Sequence, residues 1–598
     1  MGWPFTTQCD SKEILAWPVV IALCVAGSLA PSTVAQTRQT YQTRTEPSER
    51  DARHDSAQRP KLIVLLVVDQ FRADYVDKFR HQWSGGLKRL IEHGAWFREA
   101  AYPYANTFTC VGHATISTGV LPSTHGIMGN AWYDRETDKQ VTCTSDPNVQ
   151  GVGYGPAPKT GDSPVRLKVP TLADELRVQS GESTRVTTFS LKARSAIMLA
   201  GHRADAVTWH DNLIGTWVSS SVYGTSPLVA QFVKAHPIEK DFNKTWALTL
   251  PAPQYLYEQA TEGRGGTREW RTGFPHALHS AADPAAKPDA EFYQRWEVSP
   301  FADDYLAQMA ESVADGLKLG QGRGSDFLGI SFSTLDLAGH AYGPRSREVQ
   351  DVLVRLDRTL GEFLAHLDST VGRANYVVAL TADHGVAPLP IEMQKAGFDA
   401  GWISSTEVID KIAKTLAASG HVTAAEAESK PGLMIDGDVW LKAGLYERLK
   451  QDAKALRGVI DAIAAMPGVA RVFRGDELIG QQSNSDRLVR SAAASYVPGR
   501  SGDLIILPRP YWIFGGNGST GTSHGSPYDY DQRVPVILMG GGIKPGEYLV
   551  ETTPADIAPT LAFLCGITLA RPDGRVLREA LVTANGARPI GRIPAAKN

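Results

Sequence analysis

Asp383 and His384 stand next to each other at the end of the apolar run YVVALTA (376–382), where a buried strand would reach its loop. Both side chains can bind a metal ion. Asp69 ends a similar run, KLIVLLVVD, and Asp336 ends a third, FLGISFSTLD, with His340 four residues later. Because the carboxyl ends of parallel strands converge on one crevice, we expect these five residues to meet at a metal site.

A helix-capping role is the alternative for each of these acids, and for a lone Asp after a strand it is the commoner one. Three such residues, two of them with a histidine close by, favour the metal site. Asp336 and His340 share a face if a helical turn begins there. An extended strand would send Asp383 and His384 to opposite faces, so the chain must bend, and Gly385 permits that bend.

The elements that must position these residues follow an α/β rhythm, which predicts a mostly parallel central sheet flanked by helices. Long stretches around 134–170, 219–300 and 389–509 exceed simple connections, and we expect large insertions that cover the active site. The last contains the helical stretch Leu445–Ala465 and ends near a strand at Leu504–Leu507. The other predicted strands are Leu62–Val68, Val186–Ser190, Phe327–Phe332 and Tyr376–Leu380, and the helices are Gly86–His93, Tyr305–Leu317 and Val349–Leu367.

Composition indicates a globular protein without a general affinity for polyanions. The chain has 598 residues, 42% of them hydrophobic, and a formal charge of −3. It can bury a large core. The charge gives no general attraction to nucleic acid or to an anionic membrane, so any recognition of anions must be local, and charge alone identifies no partner. We expect no specific nucleic-acid binding and a monomer.

The N-terminus predicts a secretory signal peptide over residues 1–35. A basic residue precedes the apolar stretch Ala16–Ala30, and the tripeptide ending at Ala35 resembles a cleavage site. A retained anchor is the alternative, although the stretch is shorter than the roughly 20 residues of a bilayer span. Residues 36–60 are polar and predict a disordered linker, followed by a catalytic domain over 61–598. We expect a periplasmic or secreted protein with no stable membrane span after signal removal.

Three cysteines remain once that segment is removed: Cys110, Cys143 and Cys565. They do not form a disulfide framework, and the absence of a C-x-x-C pattern gives no support to a thiolate zinc site. An oxidising compartment would permit a bridge between Cys110 and Cys143. Their Cβ separation cannot be read from sequence, so the bridged and free states both stay open.

A dense cluster of small and polar residues begins at Ala101: AYPYANTFTCVGHATISTGVLPSTHGIMGNAWYD. This segment resembles the alkaline phosphatase superfamily, specifically its bacterial threonine-nucleophile phosphatases, which are related to the nucleotide pyrophosphatase and phosphodiesterase branch. The resemblance implies that Thr109 starts a helix and attacks phosphorus, and that the amide of Asn130 donates to a phosphate oxygen. Sulfatases of the superfamily use C-x-P-x-R; the string from Cys110 lacks both Pro and Arg, which disfavours that chemistry.

The same resemblance implies two zinc ions. Asp336, His340 and His524, the last in GTSHGSPYDYDQRVPVI, would hold one ion. The other would be held by Asp69, Thr109, Asp383 and His384. All are nitrogen or oxygen donors that suit zinc.

Substrate choice depends on Lys192 and Arg194 in FSLKARSAIMLAGH. In an extended segment, residues two apart share a face, so both cations could reach phosphate oxygens. A monoester dianion has charge left for them, whereas a diester has one charge fewer. The resemblance links this Lys-x-Arg pair to the monoesterases. A solvated basic pair at a strand end is the alternative.

These features together predict a secreted alkaline phosphatase that hydrolyses phosphate monoesters through a phosphothreonine at a two-zinc site. One alternative is a phosphodiesterase or nucleotide pyrophosphatase, which would share every zinc ligand. A second is a non-catalytic receptor for phosphorylated ligands, which the presence of Thr109 disfavours. We expect His113 and His125 to be structural and leave His202 without a role.

Overall fold

The computed structural model describes residues 59–582, except 182, 260–261, 266–269, 281–286 and 517–520. The predicted signal peptide (1–35) and nearly all of the predicted linker (36–60) lie outside the described residues, as do residues 583–598 of the predicted domain. No helix within the described part combines the length and the apolar character that a membrane span requires.

A central sheet is built around Leu62–Val68, seven apolar residues that are all buried. A strand buried on both faces reads as a continuous apolar run. In the described chain the sheet has ten strands: β1 Leu62–Val68, β2 Ala95–Phe97, β3 Gly151–Gly153, β4 Val186–Ser190, β5 Ala206–Asp211, β6 Thr216–Ser220, β7 Asp326–Phe332, β8 Tyr376–Thr381, β9 Val536–Gly540 and β10 Gly546–Tyr548. They lie in the order β10-β2-β9-β8-β1-β7-β4-β5-β6-β3.

The centre of this sheet is parallel and its margins are mixed. β8, β1, β7, β4 and β5 run parallel to one another. β9 pairs antiparallel with both β8 and β2, and β6 pairs antiparallel with β5 and β3. The four residues that join β5 to β6 suffice for an antiparallel pair, whereas a parallel pair needs a long crossover. The α/β fold is therefore confirmed, with antiparallel strands at both margins.

Strand register brings the functional segments to one edge. Val68 pairs with Phe332, and Val67 pairs with Thr381. The residues that follow these three strands therefore leave the sheet at the same level. Ser331 pairs with Ser190 in the neighbouring strand, which brings the segment after β4 to the same edge.

Alternate residues of β1 serve two cores. Leu62, Val64, Leu66 and Val68 belong to one buried cluster, and Ile63, Leu65 and Val67 belong to another. Successive side chains of a strand point to opposite faces, so helices pack on both sides of the sheet. The longer helices are Gly86–His93, Thr109–Thr118, Leu172–Ser180, Ala193–Ala200, Pro227–Ala235, Ala290–Val298, Phe301–Leu317, Thr334–Tyr342, Arg347–Thr370, Ser405–Ala418, Ala453–Ala464, Arg487–Ser495 and Ile557–Cys565; shorter ones are Ala73–Phe79, Pro122–His125, Pro390–Lys395, Ala424–Glu428, Leu445–Gln451 and Asp529–Gln532.

The segment around 389–509 has a sheet and core of its own. Its four strands lie in the order Gly432–Ile435, Asp438–Leu441, Leu504–Pro508, Val469–Arg474. A separate buried cluster joins this sheet to helices Ser405–Ala418 and Ala453–Ala464. The stretch predicted as one helix, Leu445–Ala465, is two helices that part at Asp452, whose side chain caps the second. Small two-stranded sheets complete the fold: Ala131–Asp134 with Lys139–Thr142, Thr245–Trp246 with His276–Ala277, and Gly401–Ile403 with Trp512–Phe514.

The other two predicted insertions are short elements and irregular chain. Residues 134–170 include the edge strand β3, so part of that range belongs to the central sheet. Within 219–300 the helices Pro227–Ala235 and Ala290–Val298 carry most of the regular structure. That these three ranges are insertions covering the active site stays a prediction.

Candidate metal centre and nucleophile

The first group of candidate metal ligands is Asp336, His340 and His524, whose nitrogen and oxygen donor atoms all lie within 4.8 Å of one another. Asp336 and His340 are both in helix Thr334–Tyr342, so the expected i, i+4 pairing is present, although Asp336 lies in a first helical turn and not at the strand end itself. His340 Nε2 is 3.3 Å and His524 Nε2 is 3.9 Å from Asp336 Oδ1. The three candidate ligand atoms are therefore close enough together to bind one metal ion.

Both histidines of this group are oriented by backbone carbonyls. His340 Nδ1 lies 2.7 Å from the carbonyl of Thr522, and His524 Nδ1 lies 2.7 Å from that of Thr107. A carbonyl accepts, so each Nδ1 donates, and Nε2 is left with a lone pair for a metal. Burial, with the neighbouring imidazoles of His384 and His340, holds the pKa of His524 well below its ordinary value. His524 is therefore neutral, as a metal ligand must be.

The second group consists of Asp69, Asp383 and His113, also within 4.8 Å of one another. The adjacent His384 lies with Nε2 3.2 Å from Asp383 Oδ2 and 3.3 Å from the hydroxyl of Thr109. His384 Nδ1 donates to the carbonyl of Gly385 at 2.8 Å, so Nε2 is the nitrogen that faces the site. Burial opposes protonation, but Asp383 and Asp336 outweigh it and raise the pKa of His384, so a metal at Nε2 would displace a proton. The structure brings Asp69, Asp383, His384 and Thr109 together, as the sequence predicts for the second ion.

His113 reaches ligand distance in that group, but other bonds engage both of its nitrogens. His113 Nδ1 lies 2.8 Å from the carbonyl of Thr109, and Nε2 lies 2.9 Å from the hydroxyl of Ser331. These bonds support the expected structural role. His125 is bonded to the hydroxyl of Thr115 at 3.1 Å.

The electrostatics of the two groups fit cation binding. Burial opposes ionisation of both Asp336 and Asp383. Lys192 and His340 outweigh burial at Asp336 and hold its pKa well below the ordinary value. His384 and His113 do the same for the pKa of Asp383. Both carboxyls are therefore ionised at neutral pH.

One atom supports the fit to a metal directly. Asp383 Oδ2 is buried and lies 3.2 Å from His384 Nε2 and 3.4 Å from His113 Nδ1, but within the described part of the chain it accepts no well-formed hydrogen bond. A buried carboxylate oxygen in this position is costly unless a cation serves it. The nitrogen and oxygen donors of both groups suit zinc.

The nucleophile candidate Thr109 is the first residue of helix Thr109–Thr118, after Phe108 in extended conformation. Its helix lies directly against the Asp383 turn. A Cβ built on Gly112 would be 2.2 Å from the carbonyl oxygen of Asp383 and 2.6 Å from its Cα. Only glycine allows this approach, which holds the Thr109 hydroxyl beside His384.

Asn130 lies at the same helix start. Its Oδ1 accepts a 2.9 Å hydrogen bond from the backbone N–H of Cys110. Because the Cys110 N–H donates to the oxygen of the Asn130 amide, the NH₂ group of that amide points away from Cys110 and can donate to another group. This is the orientation that the expected contact with a phosphate oxygen requires.

Cys110 and Cys143 form a disulfide, which settles the question that the sequence left open. The backbone N–H of Cys143 donates to the carbonyl of Asn130 at 3.0 Å. The bridge, this bond and the bond from Cys110 to Asn130 close a small ring beside Thr109. Cys565 is free and buried.

Lys192 lies between the two ligand groups. Its ammonium nitrogen is 2.8 Å from Asp69 Oδ2 and 2.6 Å from Asp336 Oδ2. Burial opposes its charge, but Asp336 and Asp69 outweigh burial and raise the pKa of Lys192. Arg194 is near enough to act on Lys192 electrostatically, and within the described residues its buried Nε has no hydrogen-bond partner.

Three residues that sequence reasoning missed bind the ligand carboxylates. The hydroxyls of Ser331 and Ser333 donate to the two oxygens of Asp69 at 2.7 and 3.0 Å. The amide of Gln70 donates to Asp336 Oδ1 at 2.8 Å. Polar residues at the end of an apolar strand are the signal that could have identified the two serines.

The reason for glycine at position 385 differs from the expectation. Gly385 is not among the residues with positive φ, so backbone freedom is not what the bend needs. A Cβ on Gly385 would lie 2.1 Å from the carbonyl oxygen of Tyr530. The N–H of Gly385 donates to the carbonyl of Asp531, the residue after Tyr530, at 2.7 Å. Close packing of the two loops excludes a side chain.

Similarity to known proteins places the chain in the alkaline phosphatase superfamily, as its motifs predict. Within the superfamily, the family model described as type I phosphodiesterase / nucleotide pyrophosphatase matches residues 63–529. The chain belongs to this family.

Long relatives give a more detailed comparison. Alkaline phosphatase PhoV of Synechococcus elongatus is 30% identical over 527 residues, covering 87% of this chain and 92% of the relative. Alkaline phosphatase PafA of Elizabethkingia meningoseptica is 33% identical over 530 residues, covering 87% and 93%. The crystal structure of wild-type alkaline phosphatase PafA superimposes with a TM-score of 0.76 and 30% identity, covering 88% of this chain and 99% of that one. The chain is similar to these proteins over most of its length.

Proposed function

We propose that this protein is an alkaline phosphatase that hydrolyses phosphate monoesters through a phosphothreonine at a two-zinc site. The observation that carries the proposal is the position of Lys192, whose ammonium lies within 2.8 Å of one carboxylate from each ligand group. The Thr109 hydroxyl lies beside the second group, 3.3 Å from His384. A nucleophile and a cation thus meet at a centre that can hold two ions.

The reaction is an in-line displacement in which the chain's own groups hold the phosphoryl group. Thr109 Oγ1 loses its proton and attacks phosphorus, the ester oxygen leaves with the electron pair of the broken P–O bond and takes up one proton, and a phosphothreonine results. Zinc, when bound, lowers the pKa of the attacking hydroxyl and stabilises the leaving oxygen. The amide of Asn130 and the cations of Lys192 and Arg194 donate to the non-bridging oxygens. Water then attacks phosphorus, the bond to Thr109 Oγ1 breaks, Oγ1 takes up a proton released by the water, and inorganic phosphate leaves.

Charge favours the monoester over the diester. A monoester dianion can engage Lys192 and Arg194 together, whereas a diester carries one negative charge and needs space for a second organic group. The relatives from Synechococcus elongatus and Elizabethkingia meningoseptica are named alkaline phosphatases, which supports the same choice. A phosphodiesterase or nucleotide pyrophosphatase remains the second candidate because its ligand set would be the same.

Side-by-side kinetics test this choice. We expect a higher kcat/KM for an aryl phosphate than for the matching bis-aryl phosphate. Replacing Lys192 and Arg194 together by Ala should reduce monoester turnover much more than diester turnover. A preference for the diester, or equal losses for both substrates, would refute the assignment.

A periplasmic or secreted location is part of the proposal. The disulfide between Cys110 and Cys143 is of the kind that persists in oxidising compartments, and the N-terminal pattern over residues 1–35 is that of a signal peptide. Mass spectrometry of the mature protein tests this, since cleavage after Ala35 should leave Gln36 as the first residue.

A further inference from the structure

Gln70 connects the two ligand groups. Its backbone N–H donates to Asp383 Oδ1 at 3.1 Å, and its side-chain amide donates to Asp336 Oδ1 at 2.8 Å. These carboxylates belong to different ligand groups and to segments more than forty residues apart. Gln70 itself is only 1% exposed.

The backbone of Gln70 is strained. It has φ 68° and is the third residue of a tight turn in which the N–H of Phe71 donates to the carbonyl of Val68 at 3.1 Å. A turn with positive φ at this position ordinarily uses Gly or Asn. Among the eight non-glycine residues with positive φ in the described chain, Gln70 alone is buried.

Gly339, on the helix that carries Asp336, makes room for this side chain. A Cβ built there would lie 1.7 Å from Gln70 Oε1 and 2.8 Å from its Cδ, and its three nearest atoms all belong to Gln70. Gly339 is inside helix Thr334–Tyr342, where glycine is normally unfavourable. Two locally unfavourable residues, Gln70 with its strained backbone and Gly339 inside a helix, are therefore both required for the close contact between them.

We propose that Gln70 is a positioning residue that sets Asp336 relative to Asp383 and so couples the two metal sites. Buried strain of this kind persists where the surrounding structure requires it. Hydrogen bonds from outer residues fix the direction of a ligand oxygen, and their loss typically weakens metal binding by about 10- to 100-fold. The inference rests on the proposed two-metal site but does not depend on which phosphate ester is hydrolysed.

The first test is a double-mutant cycle on the metal-free protein, read as the melting temperature. Gly339→Ala should lower the melting temperature of the wild type because its Cβ displaces Gln70. In the Gln70→Ala background, where that contact is absent, the same change should leave the melting temperature unchanged or raise it, since Ala favours the helix. Equal losses in both backgrounds would refute the contact. No activity enters this test, so the proposed function could fail while the contact holds.

The second test measures zinc directly, by competition with a chelator followed by metal analysis. Gln70→Met keeps the length of the side chain but cannot donate, and one of the two ions should bind about 10- to 100-fold more weakly. Gln70→Gly should weaken binding similarly, yet its metal-free form should melt above Gln70→Ala because glycine tolerates positive φ.

Lys318 provides the matched control. It also has positive φ (54°), but it is an exposed helix C-cap and belongs to neither candidate ligand group. Lys318→Gly should leave zinc binding at the wild-type value. Wild-type zinc affinity in Gln70→Met would overturn the proposal, and so would equal weakening of zinc binding in Lys318→Gly.

Discussion

Replacing Gly112 by Ala should misplace the nucleophile without removing any functional group. The added Cβ would lie 2.2 Å from the carbonyl oxygen of Asp383, whereas real Cβ contacts are essentially never below 3.0 Å. The helix that starts at Thr109 and the turn that carries Asp383 and His384 must therefore move apart by at least about 0.8 Å. Neither partner is a flexible side-chain end, because the contact is with backbone atoms.

A displacement of this size is large on the scale of catalysis. Misplacement of reacting groups by about 1 Å can cost on the order of 100-fold in rate, which corresponds to about 2.7 kcal/mol of transition-state stabilisation. We therefore expect Gly112→Ala to lower kcat/KM for an aryl phosphate by roughly 100-fold. Helix propensity alone would act in the opposite direction, since Ala is favoured over Gly by about 1 kcal/mol.

Gly458→Ala is the matched control, because Gly458 lies inside helix Ala453–Ala464 and a Cβ built there would meet no other part of the described chain within 4 Å. That variant should keep full activity and gain slightly in stability. Steady-state kinetics, zinc content and circular dichroism would be measured on both variants. Wild-type kcat/KM in a zinc-loaded Gly112→Ala protein would refute the argument that this close approach positions Thr109.

Three further predictions concern the disulfide, a buried acid and the metals. Cys143→Ser should lower the free energy of unfolding by about 3–4 kcal/mol, as expected for a disulfide that closes a loop of this length. It should also lower kcat/KM, because the two hydrogen bonds that hold Asn130 lose the support of the disulfide. Unchanged denaturant midpoints would contradict the predicted loss of stability. Burial raises the pKa of Asp438 to about 7. Between pH 4 and pH 7 the folded protein therefore keeps a proton that the unfolded chain has released. The free energy of unfolding should fall by up to about 4 kcal/mol as the pH rises through this range. Asp438→Asn removes this contribution and should gain stability relative to the wild type over that window, as measured by urea unfolding at a series of pH values; parallel curves would show that Asp438 is not the source. Removal of metal by a chelator should abolish turnover and lower the melting temperature, and Zn²⁺ should restore both; turnover that survives in protein shown to be metal-free would exclude a metal-dependent reaction.

Much of the central fold could be predicted from the sequence. The strand Leu62–Val68 agrees with the structure at both ends because seven apolar residues leave few other ways to be buried. The run at Phe327–Phe332 differs by a single residue, since the strand begins at Asp326. The antiparallel margins could not be predicted in this way, because pairing direction depends on connections whose paths the apolar pattern does not encode.

Part of the candidate site could also be predicted from the sequence, and part could not. Asp69 and Asp383 each follow a buried apolar strand, so residue type and position suffice to predict them as candidate metal ligands. Gln70 looks like an ordinary polar residue after a strand, and its role emerges only from the distance to Asp336. The bridge between Cys110 and Cys143 likewise depends on the separation of two segments in space.

Rapid acid quench during turnover of a labelled phosphate monoester tests the central claim most directly. The proposed reaction predicts covalent phosphate on Thr109, formed and lost at rates that account for turnover, and absent from Thr109→Ala and from metal-free protein. Phosphate on another residue, or full turnover by Thr109→Ala, would contradict the proposed mechanism.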